Sequence, residues 1–252
     1  MYSSVEASKL QPRLRAYLES AQCRGIQFDK KHKCYKVVGA DGREVLYAGL
    51  IGKLKQLFYP HYKDTRRKSK TQKKGSTAKL GKRIDDEICK VTASKKGQPL
   101  KLHQMTTRLL HSLLKEQGHI LQAAQVPVQV RPLLRITQAD FITLHAESGE
   151  LHMWELKTGY TPGMYTTTGK GTFKGSHLED VKCSKYGIWE LQRYWTCRAL
   201  QDAGVPIAQS HVINVYEDTK KKKVVVKVLD NLEWTTRLDT FGVKPQKKRL
   251  KT

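Results

Sequence analysis

Apolar residues recur at two different periods along the chain, and the change of period predicts the order of its elements. A recurrence of three or four residues is typical of helices with one buried face, whereas alternation of apolar and polar residues is typical of half-buried strands. The first pattern predicts helices over residues 9–22, 76–91, 101–117 and 187–203. It also predicts a short helix that has Leu46, Leu50, Leu54 and Leu57 on one face and ends before Pro60. The second predicts a hairpin over 33–47 that turns at Asp41-Gly42, and strands over 125–130, 133–146, 150–157, 211–216 and 224–229.

From residue 75 onward the predicted order is helix, helix, three strands, helix and two strands. Helices interspersed with strands favour an α/β fold, in which a central mixed β-sheet is flanked by helices. Between Lys63 and Lys74 the chain has almost no apolar residue to bury, which is typical of a linker or a flexible arm. We therefore expect an accessory N-terminal segment with its basic linker over 1–74, a main domain over 75–243 and a basic tail over 244–252.

The strands over 133–146 and 150–157 are predicted to form a hairpin that turns at Ser148-Gly149. Antiparallel pairing then matches residues whose numbers sum to about 297, so that Lys157 faces Asp140 and Glu155 faces Ile142. Side chains two residues apart in a strand share a face. The hairpin therefore brings Asp140, Glu155 and Lys157 to one side of the sheet, and a one-residue slip would separate them.

Two neighbouring carboxylates repel each other unless a cation lies between them, and hard oxygen ligands suit Mg²⁺ or Mn²⁺. Such an ion polarises a phosphate oxygen and acidifies bound water, while Lys157 is suited to position that water. The competing interpretation is an ordinary salt bridge between Asp140 and Lys157 on an exposed hairpin. An acid-x-Lys triplet carries little information alone, because this basic chain also contains Asp29-Lys-Lys, Asp180-Val-Lys and Asp218-Thr-Lys.

The order of these elements and the Asp140, Glu155-Leu-Lys157 pattern resemble the PD-(D/E)XK nuclease superfamily. Gln138-Ala139-Asp140 stands where the family has its Pro-Asp, and the Pro is missing here. The resemblance covers residues 75–230 and implies a restriction-endonuclease-like core. It implies that Asp140, Glu155 and the Leu156 carbonyl hold the metal ion, and that Lys157 organises the nucleophile.

Two flanking motifs extend the resemblance to the RecB-like and lambda-exonuclease-like members. Gly81-Lys-Arg-Ile-Asp-Asp-Glu-Ile88 is similar to their first-helix motif, where we choose Glu87 as the metal-binding acid and keep Asp85 as the alternative. Lys185-Tyr-Gly-Ile-Trp-Glu-Leu-Gln-Arg-Tyr194 is similar to their later helix motif, which carries a Gln. Alignment on Tyr194 assigns that role to Glu190, and alignment on the Leu-Gln pair assigns it to Gln192, which we prefer.

The net charge of +24, from 47 Lys and Arg against 23 Asp and Glu, favours a polyanionic partner, foremost nucleic acid. The arm before residue 75 and the Gly- and Thr-rich loop after Lys157 supply basic residues for phosphates and an aromatic ring for base stacking. The expected contacts with nucleic acid are Arg66, Arg67, Lys68, Lys73, Lys74, Tyr160, Lys170 and Lys174.

No apolar run approaches the length of a membrane span, and the five cysteines lack zinc-finger spacing. The odd number of cysteines is typical of reduced thiols, so we expect an intracellular protein without a membrane partner. Its tail, Lys244 to Lys251, resembles a nuclear-import signal.

The sequence thus predicts a Mg²⁺- or Mn²⁺-dependent nuclease that acts on DNA, with RNA still open as a substrate. Asp140, Glu155, Lys157 and Gln192 are its expected catalytic residues, and Glu87, Asp140, Glu155 and Leu156 its expected metal ligands. The alternative is a non-catalytic, basic nucleic-acid-binding protein with the same fold. The mode of cleavage and the oligomeric state are open.

Overall fold

The computed structural model describes residues 11–29, 31–39, 41–58, 76–93, 105–160, 163, 168–172, 178–218, 223–233 and 237–238. Its N-terminal part contains three helices and a small antiparallel sheet in the order β1-β2-β3. These elements are α1 (Pro12–Glu19), α2 (Ala21–Arg24), β1 (Ile26–Asp29), β2 (Cys34–Val38), β3 (Glu44–Tyr47) and α3 (Leu50–Phe58).

The predicted helix over 9–22 is two helices in the structure, because Ser20 interrupts it. Ser20 has an extended backbone, and its hydroxyl accepts a hydrogen bond from the N–H of Cys23. This is the usual way in which serine caps a helix N-terminus, so the residue that ends α1 also begins α2. The hairpin over 33–47 is present, and it gains β1 as a third strand that the sequence did not predict.

The rest of the chain follows the predicted order, with two additional short strands. The elements are α4 (Ser76–Ala93), α5 (Met105–Glu116), β4 (His119–Val130), β5 (Arg135–His145), β6 (Leu151–Thr158), β7 (Thr168–Thr172), β8 (Lys182–Ser184), α6 (Lys185–Asp202), β9 (Ile207–Asp218) and β10 (Lys223–Leu229). A single turn of 3-10 helix, Arg131–Leu133, joins β4 to β5.

The central sheet has five strands in the order β10-β9-β6-β5-β4. The pairs β4–β5, β5–β6 and β9–β10 are antiparallel, whereas β6–β9 is parallel. A parallel pair requires a crossover connection, and the chain between β6 and β9 makes it through α6. The fold is therefore α/β with a mixed sheet flanked by helices, as the sequence predicts.

Alternate residues of the strands enter two separate cores, one on each face of the sheet. Helices cover both faces. One core contains Ile142 and Met153 with Leu191 of α6. The other contains Phe141 and Trp154 with helices α4 and α5. Asp140, Glu155 and Lys157 are an even number of residues from Ile142 or Met153, so their side chains project to the α6 face.

The N-terminal helices pack into the same core as α6. Leu14, Tyr17, Leu54 and Phe58 are almost completely buried there, and the Tyr17 hydroxyl donates a hydrogen bond to the carbonyl of Pro127 at 2.7 Å. At the edge of the main sheet, the Ile136 N–H donates to the carbonyl of Ala48 at 3.3 Å. These contacts fix the end of β3 and the start of α3 beside β5. The predicted boundary near residue 74 stays a prediction.

Among the described residues no helix is long and apolar enough to cross a membrane. In the described part of the chain no cysteine takes part in a disulfide bond.

Candidate active site

The site lies where β5 and β6 separate. Their backbone pairing ends at Phe141 and Trp154, beyond which β5 pairs with β4 and β6 pairs with β9. Asp140 and Glu155 are the first residues past this last pair and face each other across the gap. The predicted register is wrong by two residues, because the paired numbers sum to 295. Since side chains alternate with a period of two, this offset leaves the carboxylates and Lys157 on a common face.

Asp140 accepts hydrogen bonds from both neighbouring strands. Its Oδ2 accepts from the main-chain N–H of Leu156 at 2.6 Å, and its Oδ1 accepts from Nε2 of Gln125 at 3.4 Å. Burial raises the pKa of Asp140, while Lys157 and these hydrogen bonds act in the opposite direction. The carboxyl group is therefore fixed in position at the opening between the strands.

Gln125 adopts a backbone conformation that is rare for a residue other than glycine. Its φ is 51° in the middle of β4, opposite Asp140, and a register shift lies nearby between Leu121 and Ala123. A left-handed residue inside a strand carries strain of about 1 kcal/mol or more. Here the distortion accompanies the contact of the Gln125 amide with Asp140.

Glu155 and Lys157 form a buried ion pair beside Asp140. The Lys157 ammonium donates to Oε1 of Glu155, which is 1% exposed, while Oε2 of Glu155 has no hydrogen-bond partner among the described residues. Burial raises the pKa of Glu155 to about 8, even with Lys157 adjacent. Burial opposes the charge of Lys157, but Glu155 and Asp140 outweigh that effect and raise its pKa. The lysine is thus a fixed cation with one unsatisfied carboxylate oxygen beside it.

Helix α6 supplies a third partner of the lysine. Nζ of Lys157 donates to Oε1 of Gln192 at 3.2 Å. Glu190, the alternative for this motif, is fully buried and bound by Arg193 through two hydrogen bonds of 3.0 and 3.1 Å. The expected contact of Gln192 with Lys157 is therefore present, and the Glu190 side chain is committed to another partner.

Helix α4 approaches the site through Gly81 and Asp85. A Cβ on Gly81 would lie 2.9 Å from Oγ1 of Thr158, so a larger residue here would force either Thr158 or α4 to shift. Asp85, one turn later, interacts electrostatically with Asp140, Glu155 and Lys157. Burial and the nearby carboxylates raise the pKa of Asp85 to about 7. Thus α4 brings a third acidic group to the site.

The acid chosen from the sequence, Glu87, is buried among the residues that face the α4–α5 core. Ile84 and Ile88, which flank Glu87 along the helix, belong to that core, as the helical spacing predicts. Asp85, the reserve choice, is the α4 acid that acts on the paired carboxylates. The assignment of Glu87 as a metal ligand stays a prediction, and Asp85 replaces it in the proposal below.

Within the described part of the chain, no three His, Cys, Asp or Glu side chains are arranged so that they could hold a metal ion. The donors of Asp140 and Glu155 nevertheless fit Mg²⁺ or Mn²⁺, because both are hard oxygen ligands and one buried oxygen of Glu155 lacks a partner. A cation at that oxygen would stabilise the charged form of both carboxylates.

An open cleft of about 400 Å³ leads to Asp140 and Gln192. Its other wall comes from the N-terminal part of the chain, namely Tyr35 and the segment from Ala48 to Gly52. The Tyr35 hydroxyl donates to Oε1 of Gln138 at 3.4 Å, two residues before Asp140. Residues of β2 and α3 therefore help to form a passage from solvent to Asp140.

Most of the predicted contacts with nucleic acid lie outside the described residues. These contacts are Arg66, Arg67, Lys68, Lys73, Lys74 and Lys174. The basic tail is also outside the described residues, and for Lys170 only the backbone in β7 is described. Tyr160 is described and half-buried. Its ring packs edge-on against Trp189 with centroids 5.1 Å apart, and Nζ of Lys185 lies 4.1 Å from the ring centre. These contacts already use much of the ring surface that base stacking would need.

The sequence did not single out Tyr35 or Gln125, and Gln138 entered only as part of the family resemblance, although all three contact the site or its cleft. Tyr35 lies more than 100 residues from Asp140 in the chain, so no local spacing relates the two. Gln125 and Gln138 belong to alternating segments in which polar residues are expected on the exposed face. The glycine one turn before Asp85 is a local signal, but it favours Asp85 only once Thr158 is known to lie against it.

Comparisons of the chain with models of protein families, with curated proteins and with solved structures find no match in any of the three.

Proposed function

We propose that this protein is a metal-dependent nuclease that hydrolyses phosphodiester bonds in DNA and has a restriction-endonuclease-like core. The observation that carries the proposal is the position of Lys157. Its ammonium donates hydrogen bonds to Glu155 and Gln192 and interacts electrostatically with Asp140. These residues lie where two strands separate and a cleft begins. An ordinary surface salt bridge requires neither a buried carboxylate with a free oxygen nor an amide that holds the lysine in place.

In this mechanism Asp140, the unpartnered oxygen of Glu155 and the Leu156 carbonyl would hold Mg²⁺ or Mn²⁺, with Asp85 acting through water. The bound ion would polarise a phosphate oxygen and lower the pKa of a water molecule. Lys157 orients the attacking water and stabilises the negative charge that develops on the phosphate. Gln192 keeps the ammonium directed at that position, and the N–H of Leu156 keeps Asp140 in place.

The net charge of +24 supports a polyanionic substrate. Phosphates bound through lysine and arginine carry no sequence information, which favours a nuclease with little sequence preference. RNA has the same phosphodiester backbone and is therefore the alternative substrate class.

The experiment compares wild type, Lys157→Ala and Lys115→Ala on end-labelled linear DNA and on closed circular DNA with Mg²⁺. Lys115 is an exposed lysine at the end of α5, so its variant loses the same charge away from the site. We expect Lys157→Ala to be about 100-fold slower or more, Lys115→Ala to match wild type, and EDTA to stop all cleavage. Cleavage of circles identifies an endonuclease, and their survival identifies an enzyme that requires ends.

If wild type leaves every substrate intact with Mg²⁺ and with Mn²⁺, the nuclease proposal fails. Salt-sensitive DNA binding that survives both EDTA and Lys157→Ala would then identify a non-catalytic binding protein. Thermal unfolding of each variant separates loss of chemistry from loss of fold, since Lys157→Ala leaves Glu155 without its partner.

A further inference from the structure

Three aromatic side chains form a row across the small N-terminal sheet. Phe28 of β1 is paired with Tyr35 of β2, and Tyr35 is paired with Tyr47 of β3. Residues paired directly across antiparallel strands project from the same face, so the three rings are neighbours. The rings of Phe28 and Tyr35 have centroids 5.0 Å apart and are tilted by 55°.

The row leads directly to the candidate active site. Tyr35, its central member, lines the cleft that contains Asp140, and its hydroxyl bonds Gln138. The hydrogen bond from Ile136 to Ala48 and the bridge between Gly49 and Ile136 fix this sheet against β5. The aromatic face is therefore a continuation of the cleft wall.

The aromatic side chains are accessible, in contrast to those of the core. Phe28 is 48% exposed, whereas Phe141 in the main sheet is fully buried. Tyr35 and Tyr47 are half-buried. Exposed aromatic side chains grouped on one face are typical of binding surfaces.

The charge around the aromatic row identifies the kind of partner. Residues 21–58 contain eight Lys or Arg against three Asp or Glu. Two lysines next to the row, Lys31 and Lys33, are exposed in the turn between β1 and β2. Aromatic faces combined with positive charge are the recurring means of binding unpaired nucleotides, because every base has a face that can stack and every phosphate is negative.

We propose that the row of Phe28, Tyr35 and Tyr47 binds unpaired nucleotides by stacking and directs a single-stranded segment of nucleic acid into the cleft at Asp140. The inference rests on the proposed nuclease function, because that function supplies the reason for a strand to enter the cleft. A duplex presents no free base faces, so the row favours single-stranded substrates or duplexes with unpaired ends over blunt duplexes.

The test measures binding without cleavage, by fluorescence anisotropy of a labelled single-stranded oligonucleotide and of a blunt duplex in EDTA. Wild type is compared with Phe28→Leu, Phe28→Trp and Leu46→Ala. Leu cannot stack, whereas Trp can. Leu46 is 62% exposed and lies on the opposite face of the same sheet, so it is the matched control.

We expect Phe28→Leu to bind the single strand about tenfold more weakly and the duplex with unchanged affinity. Phe28→Trp and Leu46→Ala should bind both as wild type does. Because Phe28 is half exposed, its replacement should leave the midpoint of thermal unfolding unchanged. Tyr35→Leu should also weaken single-strand binding about tenfold, which tests the ring that lines the cleft.

Unchanged single-strand binding by Phe28→Leu and Tyr35→Leu overturns the inference, whatever the cleavage assay shows. An equal loss for single strand and duplex also overturns it, since stacking on bases predicts a difference. If the two leucine variants lose affinity only for the single strand, the row binds nucleotides. Should wild type then cleave nothing with Mg²⁺ or Mn²⁺, the nuclease proposal fails and the stacking surface stands.

Discussion

Lys157 donates a hydrogen bond from Nζ to Oε1 of Gln192, 3.2 Å away, and so joins the end of β6 to the middle of α6. The two residues are 35 positions apart in the chain, and the crossover between the parallel strands β6 and β9 brings them together. A lysine side chain has four rotatable bonds and loses considerable conformational entropy when it is fixed. Gln192 and Glu155 together hold the ammonium at the opening of the cleft.

Replacement of Gln192 by Leu should slow DNA cleavage about 10- to 100-fold and lower the free energy of unfolding by about 1.5–3 kcal/mol. The variant removes the acceptor of a hydrogen bond from a charged donor, and such bonds contribute about 1.5–3 kcal/mol. Without it, the Lys157 ammonium is less well fixed toward the substrate. The measurement is the single-turnover cleavage rate with saturating Mg²⁺.

Gln201→Leu provides the control for this variant, because Gln201 is exposed near the other end of the same helix. It should cleave at the wild-type rate. A Gln192→Leu enzyme that is equally fast would show that the contact with Lys157 has no part in catalysis.

Asp85→Asn should raise the Mg²⁺ concentration needed for half-maximal cleavage more than Glu87→Gln does. Asp85 acts electrostatically on Asp140 and Glu155, and removal of a supporting carboxylate near a metal site typically lowers affinity or activity about 10- to 100-fold. Titration of the cleavage rate with Mg²⁺ measures the effect, and the exposed Asp86→Asn is the control. A larger loss of Mg²⁺ affinity in Glu87→Gln than in Asp85→Asn would support Glu87, the acid chosen from the sequence.

Much of the fold could be predicted from the sequence, because hydrophobic periodicity reports which faces are buried. Long elements such as α4, α6 and β5 have enough repeats for the period to be clear. The first half of β4 was missed, since His119 to Ala124 has no alternation of apolar and polar residues. Strand β1 was also missed, because four residues with one buried side chain leave no distinct pattern.

The shared face of Asp140, Glu155 and Lys157 could be predicted despite an incorrect register. The strand period is two, so the offset of two residues between the predicted and observed pairing retained the same face. Sequence reasoning could not place Tyr35 against Gln138, because that contact depends on how the N-terminal sheet packs on β5. It could not predict the left-handed backbone of Gln125 either, since no glycine or turn residue marks it.

Gly81→Ala should lower the cleavage rate about 10- to 100-fold, although alanine favours a helix by about 1 kcal/mol. The new Cβ would lie 2.9 Å from Oγ1 of Thr158, and a shift of α4 that relieves this contact carries Asp85 with it. Single-turnover rates combined with thermal unfolding distinguish this displacement from general destabilisation.

A second substitution tests the cause of that loss. In Gly81→Ala combined with Thr158→Ala, the nearest remaining atom is the Thr158 Cβ position, 3.9 Å away, which is an ordinary contact. The double variant should therefore regain activity relative to Gly81→Ala. If it does not, the close approach of α4 to β6 does not explain why glycine is required.

Glu190→Gln should destabilise the protein by about 3 kcal/mol. Glu190 and Arg193 are both buried, and removal of the negative charge leaves the guanidinium without compensation away from water. Urea unfolding measures the change. A double variant with Glu190→Leu and Arg193→Leu should lose less than the sum of the two single changes, because neither charge is then left unpaired.

The single variant Glu190→Gln also tests the alignment of the late helix motif. If Glu190 is structural, Glu190→Gln retains the wild-type cleavage rate at temperatures where it is folded. A strong loss of activity at unchanged stability would transfer the catalytic role from Gln192 to Glu190.

Four histidines on the central sheet should make stability depend on pH below neutrality. His119, His145, His152 and His211 contact one another, with neighbouring ring centroids 4.7 to 5.9 Å apart. Burial and the neighbouring rings lower the pKa of His119 to about 4, and they lower that of His211 to about 4 as well. The ordinary value is about 6.5.

The sign of the effect follows from these two depressed pKa values. As the pH falls below about 6.5, the unfolded chain binds protons that the folded protein does not yet bind, so the free energy of unfolding decreases until about pH 4. After allowance for solvent at the partly exposed rings, each should contribute roughly 2 kcal/mol to this loss. Urea unfolding at pH 7 and pH 4.5 should therefore show a smaller loss in His119→Phe than in wild type. The carboxylates are common to both proteins, so the difference isolates the histidine, and NMR titration of the ring protons measures the pKa directly. Equal losses in the two proteins, or a pKa near 6.5 for His119, would contradict the prediction.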